Sequence, residues 1–260
     1  RHELAPYYHS LKWYVNPPPN PWKAIGISTE WRPPHIMLRD HCAHKWNTWQ
    51  ANHFNYYPLE KVGKCIYLPL QYQPEAGIDV MACFFSNQTE VARLVAMSMP
   101  DDYTLVVKDH PAMLGMRDRK YLEKFARTVN VKLVDYRTPV EQILKKADAV
   151  VSMNSTTIAE AAFLGKPAIQ LGDWGTTLKL PNVTHHTDMT TLAKKIKEVL
   201  VANLKTPEYE RRLGNFVAAA YDAGFDVNYL GMWERGEYEK IEDLWHHYKK
   251  EIAEALTRRT

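Results

Sequence analysis

Glycine is sparse, 11 residues in 260, and none falls in a GxGxxG or GxxxxGK[ST] run, so the usual dinucleotide fingerprint and the P-loop of ATP hydrolysis are both excluded. Cysteine is scarcer still. Cys42, Cys65 and Cys83 are odd in number and show no CxxC spacing, which fits reduced thiols in a cytosolic compartment rather than a disulfide framework. No stretch approaches the ~18 apolar residues that would span a bilayer, and no basic start followed by an apolar run marks a signal peptide, so the expectation is a soluble chain. Charge of one sign is also wanting. Lys and Arg number 33 against 30 Asp and Glu, leaving +3, too little for a chain whose main partner is nucleic acid. No GxSxG, activated Cys or catalytic-triad order can be assembled.

What is present is a globular composition, 45% hydrophobic and 24% charged, in a chain long enough to bury a core without staples. It opens on Arg1 rather than Met, which leaves open whether it is a whole protein or a piece of a longer one. Residues 1–62 read as an arm. Pro17, Pro18, Pro19, Pro21, Pro33 and Pro34 break regular structure, while Trp13, Trp22, Trp31, Trp46 and Trp49 can anchor an extended segment on another surface.

From Lys64 onward short apolar runs alternate with helical periodicity, the mark of βα units on a parallel sheet. Strands are expected at 65–70, 104–108, 132–135, 149–153 and 168–171, with helices at 87–99, 118–129, 139–147 and 156–164, the last stopped by Gly165-Lys166-Pro167. After Pro181 no further strand is expected, and helices are read at 190–204, 208–221 and 237–257. The last carries Ile241, Leu244, Trp245, Tyr248, Ile252 and Leu256 as one apolar stripe that should pack back on the rest. This gives three segments: the arm at 1–62, an α/β domain at 63–185 and a helical segment at 186–260.

In open α/β sheets ligands sit beyond the carboxyl ends of the strands, which points to three loops. After the first strand comes Pro69-Leu70-Gln71-Tyr72-Gln73-Pro74-Glu75, with two amides and a carboxylate. After the second comes Lys108-Asp109-His110-Pro111, in which the proline fixes the backbone beside an imidazole able to donate to phosphate or sugar oxygen, with Lys108 adding charge. After the fourth comes Asn154-Ser155-Thr156-Thr157, leading straight into a helix. Hydroxyls there could form an anion site; equally, Ser155 could be an ordinary cap, and Thr157 and Glu160 have capping-box spacing. His41 and His44 lie one helical turn apart, but no third ligand follows at a defined spacing, and no metal is assigned.

These three loops, with Glu160-Ala161 and Gly165-Lys166-Pro167, resemble in order and spacing the capsule polysaccharide biosynthesis family of bacterial glycosyltransferases, built on the two-domain Rossmann-like architecture called GT-B. The likeness covers about 110 residues. It implies that the α/β domain is the nucleotide-sugar half, with a CMP-linked donor such as Kdo or sialic acid and no cofactor or metal. His110 and Pro111, with Lys108, would lie at the nucleotide phosphate or ribose; Asn154, Ser155, Thr156 and Thr157 would hold the phosphate, and Glu160 the ribose. Gln71, Gln73 and Glu75 would face the reacting sugar, with Glu75 the candidate base and His110 the second catalytic group. A saccharide or glycolipid acceptor would be the other substrate, with peripheral association at the cytoplasmic face of the inner membrane or in an assembly complex. The chain departs from the family at its front, where the acceptor-binding domain is missing or reduced to the arm. A CDP-glycerol or CDP-ribitol polyol-phosphate transferase and a non-catalytic nucleotide-binding module remain alternatives.

Overall fold

The computed structural model describes residues 34–173, 175–224 and 239–257. Six strands form one sheet: β1 Cys65–Pro69, β2 Thr104–Lys108, β3 Val131–Val134, β4 Ala149–Ser152, β5 Ala168–Gln170 and β6 Val183–His185. All pairings are parallel, in the order β3-β2-β1-β4-β5-β6. The continuous apolar run of β1, Cys-Ile-Tyr-Leu-Pro, is buried throughout because a central parallel strand is covered on both faces. This is the expected Rossmann-like α/β fold. The sixth strand corrects the expectation that strands cease after Pro181. It is a three-residue edge strand, only half-buried at Val183 and Thr184, and so carries no apolar run to announce itself.

The flanking helices are α1 Pro34–Asn52, α2 Ala76–Asp79, α3 Gln88–Ser98, α4 Arg119–Arg127, α5 Val140–Lys146, α6 Thr157–Phe163 and α7 Leu192–Leu200. Side chains alternate across a strand, so Ile66, Leu68, Leu105, Val107, Val151 and Ile169 share one face. They form a single core with Val91 and Val95 of α3, Leu122 and Phe125 of α4, and Leu192 and Ile196 of α7. Helices α5 and α6 cover the other face. Each such fully buried aliphatic side chain contributes roughly 1.5–3 kcal/mol. Local signals set the helix ends. Asn87 and Asp118 accept the Glu90 and Tyr121 amides as N-caps, and Gly165, at φ +62°, stops α6.

Over 34–52 the arm reading is corrected, since this stretch is a 19-residue helix. Pro34 sits at its first position, where a missing N–H and a fixed φ cost nothing. Helix α1 lies against α4, buries Ala51 in the core and donates from Asn47 to the Gly115 carbonyl. Trp46 and Trp49 stack on each other at 5.1 Å and stay half-exposed. Trp13, Trp22, Trp31 and the earlier prolines lie outside the described residues. The Tyr57 amide then donates to Leu133 and shields the edge of β3.

The chain divides into two compact units between Leu204 and Lys205. The first holds the sheet and, through α7, continues past 185. The second holds α8 Pro207–Ala223 and α9 Glu239–Thr257. On α9, Trp245, Tyr248, Ile252 and Leu256 are exposed. No helix among the described residues is long and apolar enough to cross a membrane.

Candidate functional site

The strand order reverses between β1 and β4, and it is there, at the carboxyl edge, that a crevice opens in such sheets. The three polar loops singled out from the sequence all leave the sheet at that edge, and Gln71 joins them. Its side-chain Nε2 donates to Ser152 Oγ at the end of β4 at 3.2 Å, and its carbonyl accepts Arg117 Nη2 from the β2 side at 2.8 Å. Its own backbone is paired twice with the Gln88 amide, N–H to Oε1 at 2.7 Å and carbonyl to Nε2 at 3.2 Å. With four such contacts Gln71 is only 7% exposed. Gln73 is similarly engaged, donating to Asp79 Oδ1 at 2.6 Å and to the Ser86 carbonyl while accepting from Gln88. The two glutamines expected to face a reacting sugar thus hold the loop together from inside, and Glu75 carries the exposed carboxylate of that loop.

The second loop presents His110. Its backbone is the N-cap of a single 3-10 turn over Pro111–Met113, and its Nδ1 accepts the Ala112 N–H at 3.2 Å. An Nδ1 that accepts carries no proton, so the neutral imidazole has its N–H on Nε2 and offers it outward. Burial lowers the pKa of His110, the positive charges of Lys108 and Arg117 add to that, and the nearby Glu75 carboxylate works against it. Tyr72 meets the ring edge-on at 6.0 Å. Lys108 is buried, its Nζ donating to the Thr138 carbonyl at 3.2 Å on the α5 and α6 side of the sheet. Burial lowers its pKa, and Glu160 is the foremost opposing charge.

In the third loop Asn154 reaches across to α2, the short helix that follows the first, its Nδ2 donating to the Gly77 carbonyl at 3.2 Å. Ser155 Oγ accepts the Thr157 N–H at 3.2 Å. Thr156 is the exposed N-cap residue, Thr157 is buried as the first residue of α6, and Glu160 is exposed one turn on. The cap is therefore a Ser155–Thr157 turn rather than a Thr157–Glu160 box. Structure brings Glu75 and His110 within electrostatic reach of each other, and ties the loop of Ser155 and Thr156 to theirs through Gln71 and Asn154.

Two further participants enter here: Asp109 stands inside the Lys108-Asp109-His110-Pro111 run with no role of its own assigned there, and Arg117 lies outside every motif. Asp109 and Arg117 form a buried ion pair, with side chains 9% and 8% exposed, through Asp109 Oδ1 and Arg117 Nη1. The same carboxylate oxygen accepts the His110 backbone N–H at 2.8 Å. Burial raises the pKa of Asp109 while Arg117 opposes the rise. Gln88, in the first turn of α3, is the third; nothing in its local pattern separates it from a solvated helix residue. Among the described residues no three His, Cys, Asp or Glu side chains gather at a metal-sized centre.

A family model described as capsule polysaccharide biosynthesis protein matches residues 30–205, about two thirds of the chain. Solved structures similar to the chain include the beta Kdo 2,7 transferase KpsC of Thermosulfurimonas dismutans, at 18% identity over 58% of this chain and 47% of that one, with a TM-score of 0.38. They also include the UDP-GlcNAc 2-epimerase of Methanocaldococcus jannaschii, at 14% identity over 68% and 52% with a TM-score of 0.40. A third is the wall teichoic acid polymerase TagF, at 14% over 70% and 44% with a TM-score of 0.35. The chain spans about half the length of each. No curated protein matches it in sequence.

Proposed function

The chain belongs to the capsule polysaccharide biosynthesis family, and on that premise we propose that its α/β unit binds the nucleotide end of an activated sugar, CMP-linked, for transfer to a saccharide or glycolipid acceptor in surface polysaccharide synthesis. The enzyme is of the GT-B type and this unit is its donor half. The observation that carries the reading is the fixed imidazole of His110, a neutral Nε2–H donor at the same edge as the Ser155 and Thr156 hydroxyls.

In this reading the phosphate lies between His110 and the Ser155 loop. Negative charge grows on it as the sugar departs, and donors already aimed at that position stabilise the transition state without reorganising. His110 Nε2–H and the hydroxyls of Ser155 and Thr156 supply these donors; Asn154 and the buried Thr157 keep the loop in place, and Lys108 adds positive charge from beneath. Neutral hydrogen-bond donors do this without a metal. Pro111 fixes the backbone at the imidazole, Glu160 reaches for the ribose, and Glu75, across from His110, is the carboxylate available to take the acceptor's proton. Gln71 and Gln73 act by holding the loop on which Glu75 stands. The place of work is the cytoplasmic face of the inner membrane, by peripheral association.

The test is a thermal-shift comparison of CMP, CDP, UDP and GDP. A melting temperature that rises with concentration for the cytidine nucleotides and less for the others is expected, since a ligand that binds only the folded state stabilises it by mass action. No rise with any of the four overturns the reading.

A further inference from the structure

We propose that Arg117 is the positioning residue of this site, a clamp that joins the loops after β1 and β2 and thereby sets where His110 presents its Nε2–H. The proposal rests on the nucleotide reading above and extends it to a residue that meets no nucleotide.

The guanidinium has two arms in use. Nη1 reaches Asp109 Oδ1, the oxygen that also accepts the His110 backbone N–H, and Nη2 reaches the Gln71 carbonyl at 2.8 Å. Its Cζ lies over the Tyr121 ring, 4.5 Å from the centroid. One side chain thus fixes the distance from Gln71, the residue on which the loops converge, to the peptide that carries the imidazole. A planar fork can satisfy two acceptors at once; an ammonium has no such fixed geometry.

Stability alone does not explain the pair. Removing two charges from water is expensive, and apolar side chains of similar volume usually serve a core as well or better. What the pair supplies and apolar residues would not is a directional link. Both ends of that link are themselves held: Gln71 by Gln88 and Ser152, and the segment before Arg117 by Asn47 of α1, which donates to the Gly115 carbonyl.

The experiment compares Arg117→Lys, His110→Ala and the double variant for CMP binding by calorimetry, together with long-range imidazole NMR on the nucleotide-free proteins, the His110 signals being those lost in His110→Ala. Arg117→Lys keeps the charge beside Asp109 and lacks the second arm. It should weaken CMP binding about tenfold, add little further loss in the His110→Ala background, and move the His110 signals from the Nε2–H pattern toward a mixture of tautomers. Additive losses, or an unchanged His110 pattern, overturn the proposal. If Arg117→Lys does not fold, the paired replacement Asp109→Leu with Arg117→Met removes the link without leaving a lone buried charge, and the same imidazole shift is expected of it. If the unaltered protein binds no CMP, the nucleotide reading falls, while the imidazole pattern still decides the clamp.

Discussion

The Nδ1 of His110 accepts the Ala112 amide at 3.2 Å, so protonating this ring replaces a hydrogen bond with two donors facing each other. Burial and the charges of Lys108 and Arg117 hold its pKa below the ordinary 6.5, against the pull of Glu75. A group whose folded pKa is depressed gives stability that is complete above its unfolded pKa and is lost as pH falls through the folded value. Asn at this position can still cap through its side-chain oxygen but does not titrate. Melting temperatures of the unaltered protein and His110→Asn should therefore run parallel above about pH 7, and the unaltered protein should lose more below it. Parallel curves down to pH 5 would show that the imidazole is free of its cap.

Gly115 stands at φ +81°, and a Cβ there would come within 2.5 Å of Thr48 Oγ1 and 2.7 Å of His44 Nε2. Gly165 stands at φ +62° with nothing within 4 Å. Both substitutions to Ala carry the left-handed backbone cost of roughly 1–2 kcal/mol, but only Gly115→Ala must also displace the Thr48 and His44 side chains of α1. In urea titrations Gly115→Ala should be the more destabilising by about 1 kcal/mol or more, and it should also weaken CMP binding. Equal costs would mean that α1 yields freely and does not support the site.

Much of this architecture can be read from local pattern. Ile66, Leu68 and the Val pairs of β2 and β4 announce buried parallel strands because both faces are covered, and Gly165-Lys166-Pro167 ends α6 by backbone chemistry alone. Two elements escape for opposite reasons. Val183–His185 is an edge strand whose pairing with β5 is non-local, so its three residues show no alternation. Helix α1 opens on a proline, Pro34, and buries little besides Ala51, so it has a breaker where a helix start stands and no apolar stripe to give its period. At the site the outward groups were legible as chemistry out of place in a bland turn. The inward ones were not: Arg117 meets Gln71 across 46 positions and Gln88 meets it across 17, distances that only the finished fold closes.

Lys108 separates a charge used for binding from one used for folding. Its ammonium is buried, donates to the Thr138 carbonyl, and has its pKa lowered by burial. Lys108→Met keeps most of the volume and removes a charge that is costly to bury, so the urea midpoint should hold or rise. If its field reaches the phosphate as proposed, CMP affinity should fall by about tenfold, the equivalent of ~1.4 kcal/mol, measured by calorimetry at low salt. Unchanged affinity would confine Lys108 to its contact with Thr138.

Ser155 and Thr156 answer the remaining choice between a cap and an anion site. Ser155 Oγ already accepts the Thr157 N–H, so Ser155→Ala alone should cost about 1 kcal/mol of stability whatever the loop binds. Thr156 makes no side-chain cap and is exposed, which leaves its hydroxyl nothing local to stabilise. The informative variant is therefore Thr156→Ala beside the double Ser155→Ala, Thr156→Ala. With a phosphate held here, the double variant should lose roughly 1–3 kcal/mol of CMP binding through missing hydrogen bonds, and the single Thr156→Ala should lose part of that with no change in melting temperature. Repeating the titration in EDTA probes the donor set as well: neutral N–H and O–H donors need no cation to meet a phosphate, so affinity should persist. Full CMP affinity in a folded double variant, or an affinity that vanishes with the chelator, would reduce this loop to a helix cap and move the phosphate elsewhere.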